Sequence, residues 1–235
     1  MGCDIHFYTE VKQPDGTWKL HGELVRNGDD EDSWVSCSEE LYDGRNYNLF
    51  AILADVRNGR GFAGIETGEG FNPISDPRGV PDDASPEYKK IVEQWDCDGH
   101  SHSYHTLRQL LDFDWTQCTG LQGFVSVNGW LSWSRYRRAR GFGPEEYCGG
   151  VNGPDVKHFN AEQMDNLVQG FYDLDSEQRA AFLKEHSGVY GLATWNVPYY
   201  RVSGTFLDET VPQLLKLAGG AAGIDNVRIV FFFDN

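Results

Sequence analysis

Three of the seven histidines in this 235-residue chain fall in one short stretch, Asp96 to Leu111 (DCDGHSHSYHTLRQLL), together with two carboxylates. Thr106 followed three residues later by Gln109 is a capping-box pattern. Leu107, Leu110 and Leu111 form an apolar stripe behind it, so a helix is predicted from about Thr106. The histidines then lie in the segment entering that helix. If the segment is extended, Asp98, His100 and His102 share one face at intervals of about 6.5–7 Å, from which side chains converge on one Zn²⁺ or Mn²⁺ ion. The helix N-terminus beside them offers backbone N–H groups and favours an anion. The competing reading is a solvated polar connection. The reading as a site gains weight because the Asp-x-His spacing recurs at Asp4-Ile5-His6.

The elements that would position these residues can be read outward from them. Cys3 to Val11 (CDIHFYTEV) alternates as a strand does, with Asp4, His6, Tyr8 and Glu10 on one face and Cys3, Ile5 and Phe7 on the other. Gln13-Pro14-Asp15-Gly16 is turn chemistry, and Thr17 to Leu20 returns as the second strand of a hairpin. Calcineurin-like phosphoesterases also open on Asp-x-His, but there the motif ends a strand of a βα unit. Here the strand runs past His6 into a hairpin, and the later Asn-His and Gly-His motifs are missing. Leu49, Phe50, Ile52, Leu53 and Val56 mark a helix over 47–56, flanked by Arg45, Asn46 and Arg57. A Gly/Pro-rich stretch at about 59–85 is too long for a simple connector and reads as a lid or surface loop, with Arg78 its conspicuous cation. Ser85-Pro86 starts a short helix that ends at Trp95.

Further along, Gly123 to Val127 reads as a short strand. Arg135, Arg137, Arg138 and Arg140 then cluster among Trp133, Tyr136 and Phe142. Such a cluster either clamps a phosphate or a base, or pairs with the surplus carboxylates. Asn160–Leu174 and Asp175–His186 read as amphipathic helices, and Gly191–Ser203 as a strand with Pro198 at a bulge or edge. Leu207–Leu217 reads as a helix interrupted by Pro212. Val227 to Phe233 (VRIVFFF) is apolar on both faces, the mark of a central strand. The expected fold is α+β: one domain over 1–235, with a mixed or mainly antiparallel sheet. In it the N-terminal hairpin and C-terminal strand are central and helices pack against them.

Composition narrows the class. Forty per cent hydrophobic residues, with 14 Phe, 11 Tyr and 7 Trp, describe a globular protein with a substantial core. No apolar run reaches membrane-spanning length and no signal peptide is visible, so a cytoplasmic location and no membrane partner are expected. Met1-Gly2-Cys3 lacks the surroundings of a lipidation site. Five widely spaced cysteines argue against a disulfide framework. A net charge of −16 opposes non-specific nucleic-acid binding. The acidic runs Asp29–Asp32 and Asp82-Asp83 read as solvated loops.

MGCDIH at the start, RNYNLFAILADVRN, PISDPRGVP, HSHSYHTLRQLL and the closing VRIVFFFDN, spread over most of the chain, resemble a protein family that recurs in bacteriophage and bacterial genomes and begins MGCDIH. The resemblance implies a phage or prophage origin and a location in the host cytoplasm, and carries no activity. Asp4, His6, Arg45, Asn46, Arg57, Arg78 and His100 lie inside its motifs.

Two functions fit these residues. The first is a metal-dependent hydrolase acting on a phosphoester or nucleotide. Asp4, His6, Asp98, His100 and His102 would hold Zn²⁺ or Mn²⁺ with a position open to water, Asp4, His6 and His100 forming the catalytic set. Arg45, Asn46, Arg57 and Arg78 would bind substrate and neutralise phosphoryl charge. The second is a non-catalytic phage accessory protein that binds a host protein or a small nucleotide, for which the aromatic content and long loop are equally suited. The first requires His6 and His100 to meet.

Overall fold

The structure, a computed structural model, describes residues 2–27 and 34–234. The acidic run Asp29–Asp32 lies outside them. In chain order the strands and helices are β1 (Asp4–Lys12), β2 (Trp18–Leu20), β3 (Leu24–Asn27), β4 (Trp34–Cys37), α1 (Tyr47–Ala54), α2 (Pro86–Trp95), β5 (His100–Thr106) and α3 (Leu107–Asp112). They continue as β6 (Cys118–Ser126), α4 (Val127–Tyr136), β7 (Lys157–Phe159), α5 (Ala161–Leu167), α6 (Ser176–Glu185), β8 (Val189–Pro198), α7 (Tyr199–Val202), α8 (Val211–Leu217) and β9 (Val227–Asp234). Backbone contacts gather these into two compact units: 1–58 with 71–115 and 200–235, and 59–70 with 116–199. The stretch 59–85 is divided between them. The fold is α+β, as the alternation of patterns predicts.

The first unit is built on a four-stranded antiparallel sheet of order β2-β1-β9-β5. β9 lies inside it, paired along its length with β1 from Asp4↔Asp234 to Val11↔Val227. Its run of apolar residues follows from having both faces covered. Val227, Ile229, Phe231 and Phe233 meet α1, α3 and α8 on one face. Val230 and Phe232 meet α2 on the other. The β1–β2 turn closes through Gln13 N–H to Thr17 O at 2.7 Å, and Asp15 accepts the Thr17 N–H and hydroxyl. Thr106 caps α3 in a reciprocal capping box with Gln109. Leu107 and Leu110 are buried there, but Leu111 faces solvent.

β1 and β9 also carry a buried ion pair. Arg228 donates to Glu10 at 2.7 Å and to Asp83 at 2.7 Å, stacks over Trp18 with its guanidinium carbon 4.1 Å from the ring centroid, and Glu10 accepts the Ser85 N–H at 2.7 Å. Asp83, expected as part of a solvated acidic loop, is thereby a structural ligand of Arg228, which holds its carboxyl below the ordinary range.

The second unit is a three-stranded sheet of order β6-β8-β7, with β6/β8 antiparallel and β7/β8 parallel. α4 and α5 pack on one face around Trp130, Trp133, Met164 and Phe171. β6 is nine residues long where the sequence suggests a five-residue strand. Gly120 and Gly123 disguise it, because both stand where a side chain would strike a neighbour. A Cβ on Gly120 would meet the Glu69 carboxylate at 2.9 Å, and one on Gly123 the Tyr147 ring at 2.7 Å.

Candidate functional site

β1 begins, β9 ends and β5 begins at one end of the first unit's sheet, so Asp4, His6, His100 and Asp234 gather there. β9 sorts them between two faces. His6 pairs in register with Phe232, whereas His100 pairs with Phe233, and successive strand residues point to opposite faces. His6 and His100 therefore lie on opposite sides of the sheet. This corrects the expectation that one ion joins them.

On the first face His6 packs between Trp95, 4.1 Å between ring centroids, and Phe232, at 4.8 Å. Its Nε2 is 3.7 Å from the Asp234 carboxylate. Burial pushes the imidazole pKa down, and Asp234 partly offsets this. Asp4 is held by Arg45 through both carboxylate oxygens, the Nε–Oδ1 bond at 2.6 Å, which lowers its pKa. His102 reaches this same face, 5.0 Å from the Phe232 ring, so the phenyl ring stands between the two imidazoles. Burial lowers the His102 pKa as well.

The opposite face holds a cavity of about 510 Å³ lined by Ala54, Asp55, Val56, Arg57, Pro77, His100 and Ser101. Asp55 ends α1 in the left-handed conformation (φ 58°), Arg57 repeats it (φ 58°), and Ser101 adopts it (φ 52°) inside β5. Among the described residues only five non-glycine positions have positive φ, and three of them line this cavity. Each is strained by roughly 1–2 kcal/mol relative to an ordinary backbone region, and such strain gathers at functional sites. Ser101 produces the break in register between His100 and Ser103 that turns His100 and His102 to opposite faces. Asp98 lies outside the strand, in the turn after α2, with its N–H on Trp95 O at 2.9 Å. The expected single face of Asp98, His100 and His102 is thus not formed.

β5 ties the cavity walls together. His105 Nε2 lies 2.7 Å from the carbonyl of Leu53, so the neutral ring donates to the last turn of α1. The Ser103 hydroxyl accepts the Arg78 N–H at 3.3 Å, and His102 O accepts the Gly79 N–H at 2.8 Å, which fixes the segment holding Pro77. The His100 ring lies over Phe233 and its Nδ1 is 3.0 Å from the Ser101 hydroxyl. Arg57 is 5.7 Å from the Tyr47 ring centroid and lies close enough to the Cys3 thiol to favour its ionised form. Burial still leaves the Cys3 pKa raised.

The other expected binding residues have structural partners. Asn46 caps α1 through the N–H groups of Asn48 and Leu49 and donates to Val202 O at 2.7 Å. Arg78 donates to Tyr104 O at 3.2 Å and Gln109 Oε1 at 3.1 Å. In the second unit Arg137 pairs with Glu145 and Arg138 with Asp165, each at 2.8 Å, while Arg135 stacks on Tyr136 and Tyr172. Sequence reasoning missed Asp234, Asp55, Ser101 and His105 as members of this region. Only Asp234 had a signal, its place at the end of a strand apolar on both faces.

Among the described residues, no group of three or more His, Cys, Asp and Glu is placed to hold a metal ion, and no helix is long and apolar enough to cross a membrane. No family model, curated protein or solved structure matches the chain.

Proposed function

We propose that the first unit binds a small phosphorylated ligand of the nucleotide class in the cavity between the end of α1 and the start of β5. The observation that carries this is the coincidence of three left-handed non-glycine residues with Arg57 and His100 around one concavity. A fold keeps such conformations when the backbone must present particular groups. Arg57, steadied by Tyr47 and Cys3, supplies the planar donor fork that suits phosphate oxygens. His100 and the Ser101 hydroxyl add donors at the opposite wall, and the apolar edge of Pro77 offers a surface for a base or sugar. The function is occupancy, in line with the binding alternative.

The test is calorimetric titration of the full chain with inorganic phosphate, AMP and GMP, with and without Zn²⁺ or Mn²⁺. We expect a mononucleotide to bind without added metal. Arg57→Gln should weaken it about 10- to 100-fold, the worth of one charged hydrogen bond, and His6→Ala should leave it unchanged. Binding that requires metal and disappears with His6→Ala would return the hydrolase reading, and binding indifferent to Arg57 would refute the site.

A further inference from the structure

The second unit carries a separate cavity, and its chemistry is the opposite of the first. The segment 59–70 folds back on itself, with an Arg60↔Glu66 bridge, and lies along the free edge of β6. Glu69 N–H donates to Gly120 O at 2.8 Å and Gln122 N–H to Thr67 O at 2.9 Å. The approach requires glycine: at Gly68, φ is +146° and a Cβ would fall 2.1 Å from Gly120 O. This creates a trough of about 490 Å³ across three extended segments, 66–69, 120–122 and 194–196.

Its polar groups converge. Across the β6/β8 ladder Gln122 faces Thr194 and Gly120 faces Asn196. Residues two apart on a strand share a face, so Gln122, Thr194 and Asn196 stand together on the side away from the Trp130 core. Glu66 and Glu69 close the trough, the Glu69 carboxylate taking the place a side chain on Gly120 would fill. Among the described residues, no protein group hydrogen-bonds the side chains of Glu66, Gln122, Thr194 or Asn196, and Glu69 accepts only a long 3.4 Å bond from Gly120 N–H.

We infer that this trough is a binding site for a neutral, hydroxyl-rich ligand of the saccharide class, presented as the side chains of Gln122, Thr194, Asn196, Glu66 and Glu69 around a glycine floor. No Lys, Arg or His lines it, which disfavours phosphates and other anions. Carboxylates alone would select a cation, but two carboxamides and a hydroxyl donate as well as accept. That mixture matches sugar hydroxyls, each of which does both. The volume falls within the range of small-ligand cavities.

The experiment is a screen of the full-length protein on an array of neutral oligosaccharides, followed by titration of the best binder in solution. The expected result is retention of a subset of saccharides, with Gln122→Ala and Asn196→Ala each weakening binding at least tenfold at unchanged denaturation midpoint, and Arg57→Gln leaving it unaffected. Absence of any retained saccharide overturns the inference. So does affinity unchanged in both alanine variants, or spermidine binding more tightly than every saccharide, which would make the site cationic in preference.

Discussion

At one end of the β1/β9 pair Glu10 faces Arg228, and at the other Asp4 faces Asp234. The strands and ladder are the same, but the electrostatics are reversed. Opposite charges directly across a ladder stabilise it and like charges oppose it. The Glu10 end is closed: both residues are buried, and Asp83, Trp18 and the Ser85 N–H satisfy the remaining groups. The Asp4 end stays open. Arg45 offsets one carboxylate from the exposed side and His6 lies beside the other. A chain that solves charge pairing completely at one end of a strand pair, and leaves two carboxylates facing each other at the other, separates a structural clamp from a region open to solvent.

The comparison breaks most visibly if Arg228 is removed. Arg228→Met leaves Glu10 buried without its partner and should cost about 3–5 kcal/mol, read from the urea denaturation midpoint. Glu10→Leu in the same chain should recover most of that loss, because replacing both members of a buried pair by apolar side chains is close to neutral. A small single-variant effect would mean that the Glu10 end is as solvated as the Asp4 end.

A smaller effect is expected from acid, on the histidine side of the molecule. Burial depresses the His105 pKa to about 4 from an ordinary 6.5. Above pH 7 the ring is neutral in folded and unfolded chains alike and contributes no pH dependence. As pH falls through 6.5 the unfolded chain takes up the proton first, so stability declines until about pH 4 and then levels, a loss of about 3 kcal/mol. His6 and His102, lowered in the same direction by burial, add to the slope. His105→Gln retains a donor for Leu53 O and removes the titration, so its stability-against-pH curve should be flatter between pH 6.5 and 4. An unchanged slope would assign the acid sensitivity elsewhere.

How far these regions were legible in the sequence follows from their periodicity. β1, its hairpin, the start of α1, the α3 capping box and the interior placement of β9 all rest on patterns spanning several residues, and each is where those patterns put it. The face assignment of His100 and His102 rests on a single residue. Ser101 in the left-handed region shifts the strand register by one position, and nothing about a serine between two histidines announces it. α1 stops at Ala54, short of Val56, for the same kind of reason: Asp55 takes the role commonly filled by glycine. Thus Arg57 and His100, which line one cavity, could be singled out by residue type, while the separation of His100 from His6 could not.

Ser101→Gly tests the strain directly. Glycine adopts φ 52° without penalty, so the variant should be more stable by about 1 kcal/mol, even though the His100 Nδ1 contact is lost. If the Ser101 hydroxyl serves the cavity, nucleotide affinity should fall while stability rises, a divergence that a serine merely tolerated in this conformation would not show.

The smallest effect is expected at Arg45. Its guanidinium grips Asp4 through two of its nitrogens, yet the two side chains are 56% and 46% exposed, and an exposed pair gains little over its hydrated parts. Arg45→Gln should leave the denaturation midpoint within error of the parent. The local consequence should still be measurable, because Arg45 is the largest influence holding the Asp4 carboxyl below its ordinary range. In a carboxylate NMR titration the Asp4 resonance should move to higher pH in the variant. A large loss of stability without that movement would make Arg45 part of the packing and remove the contrast between the two ends of the strand pair.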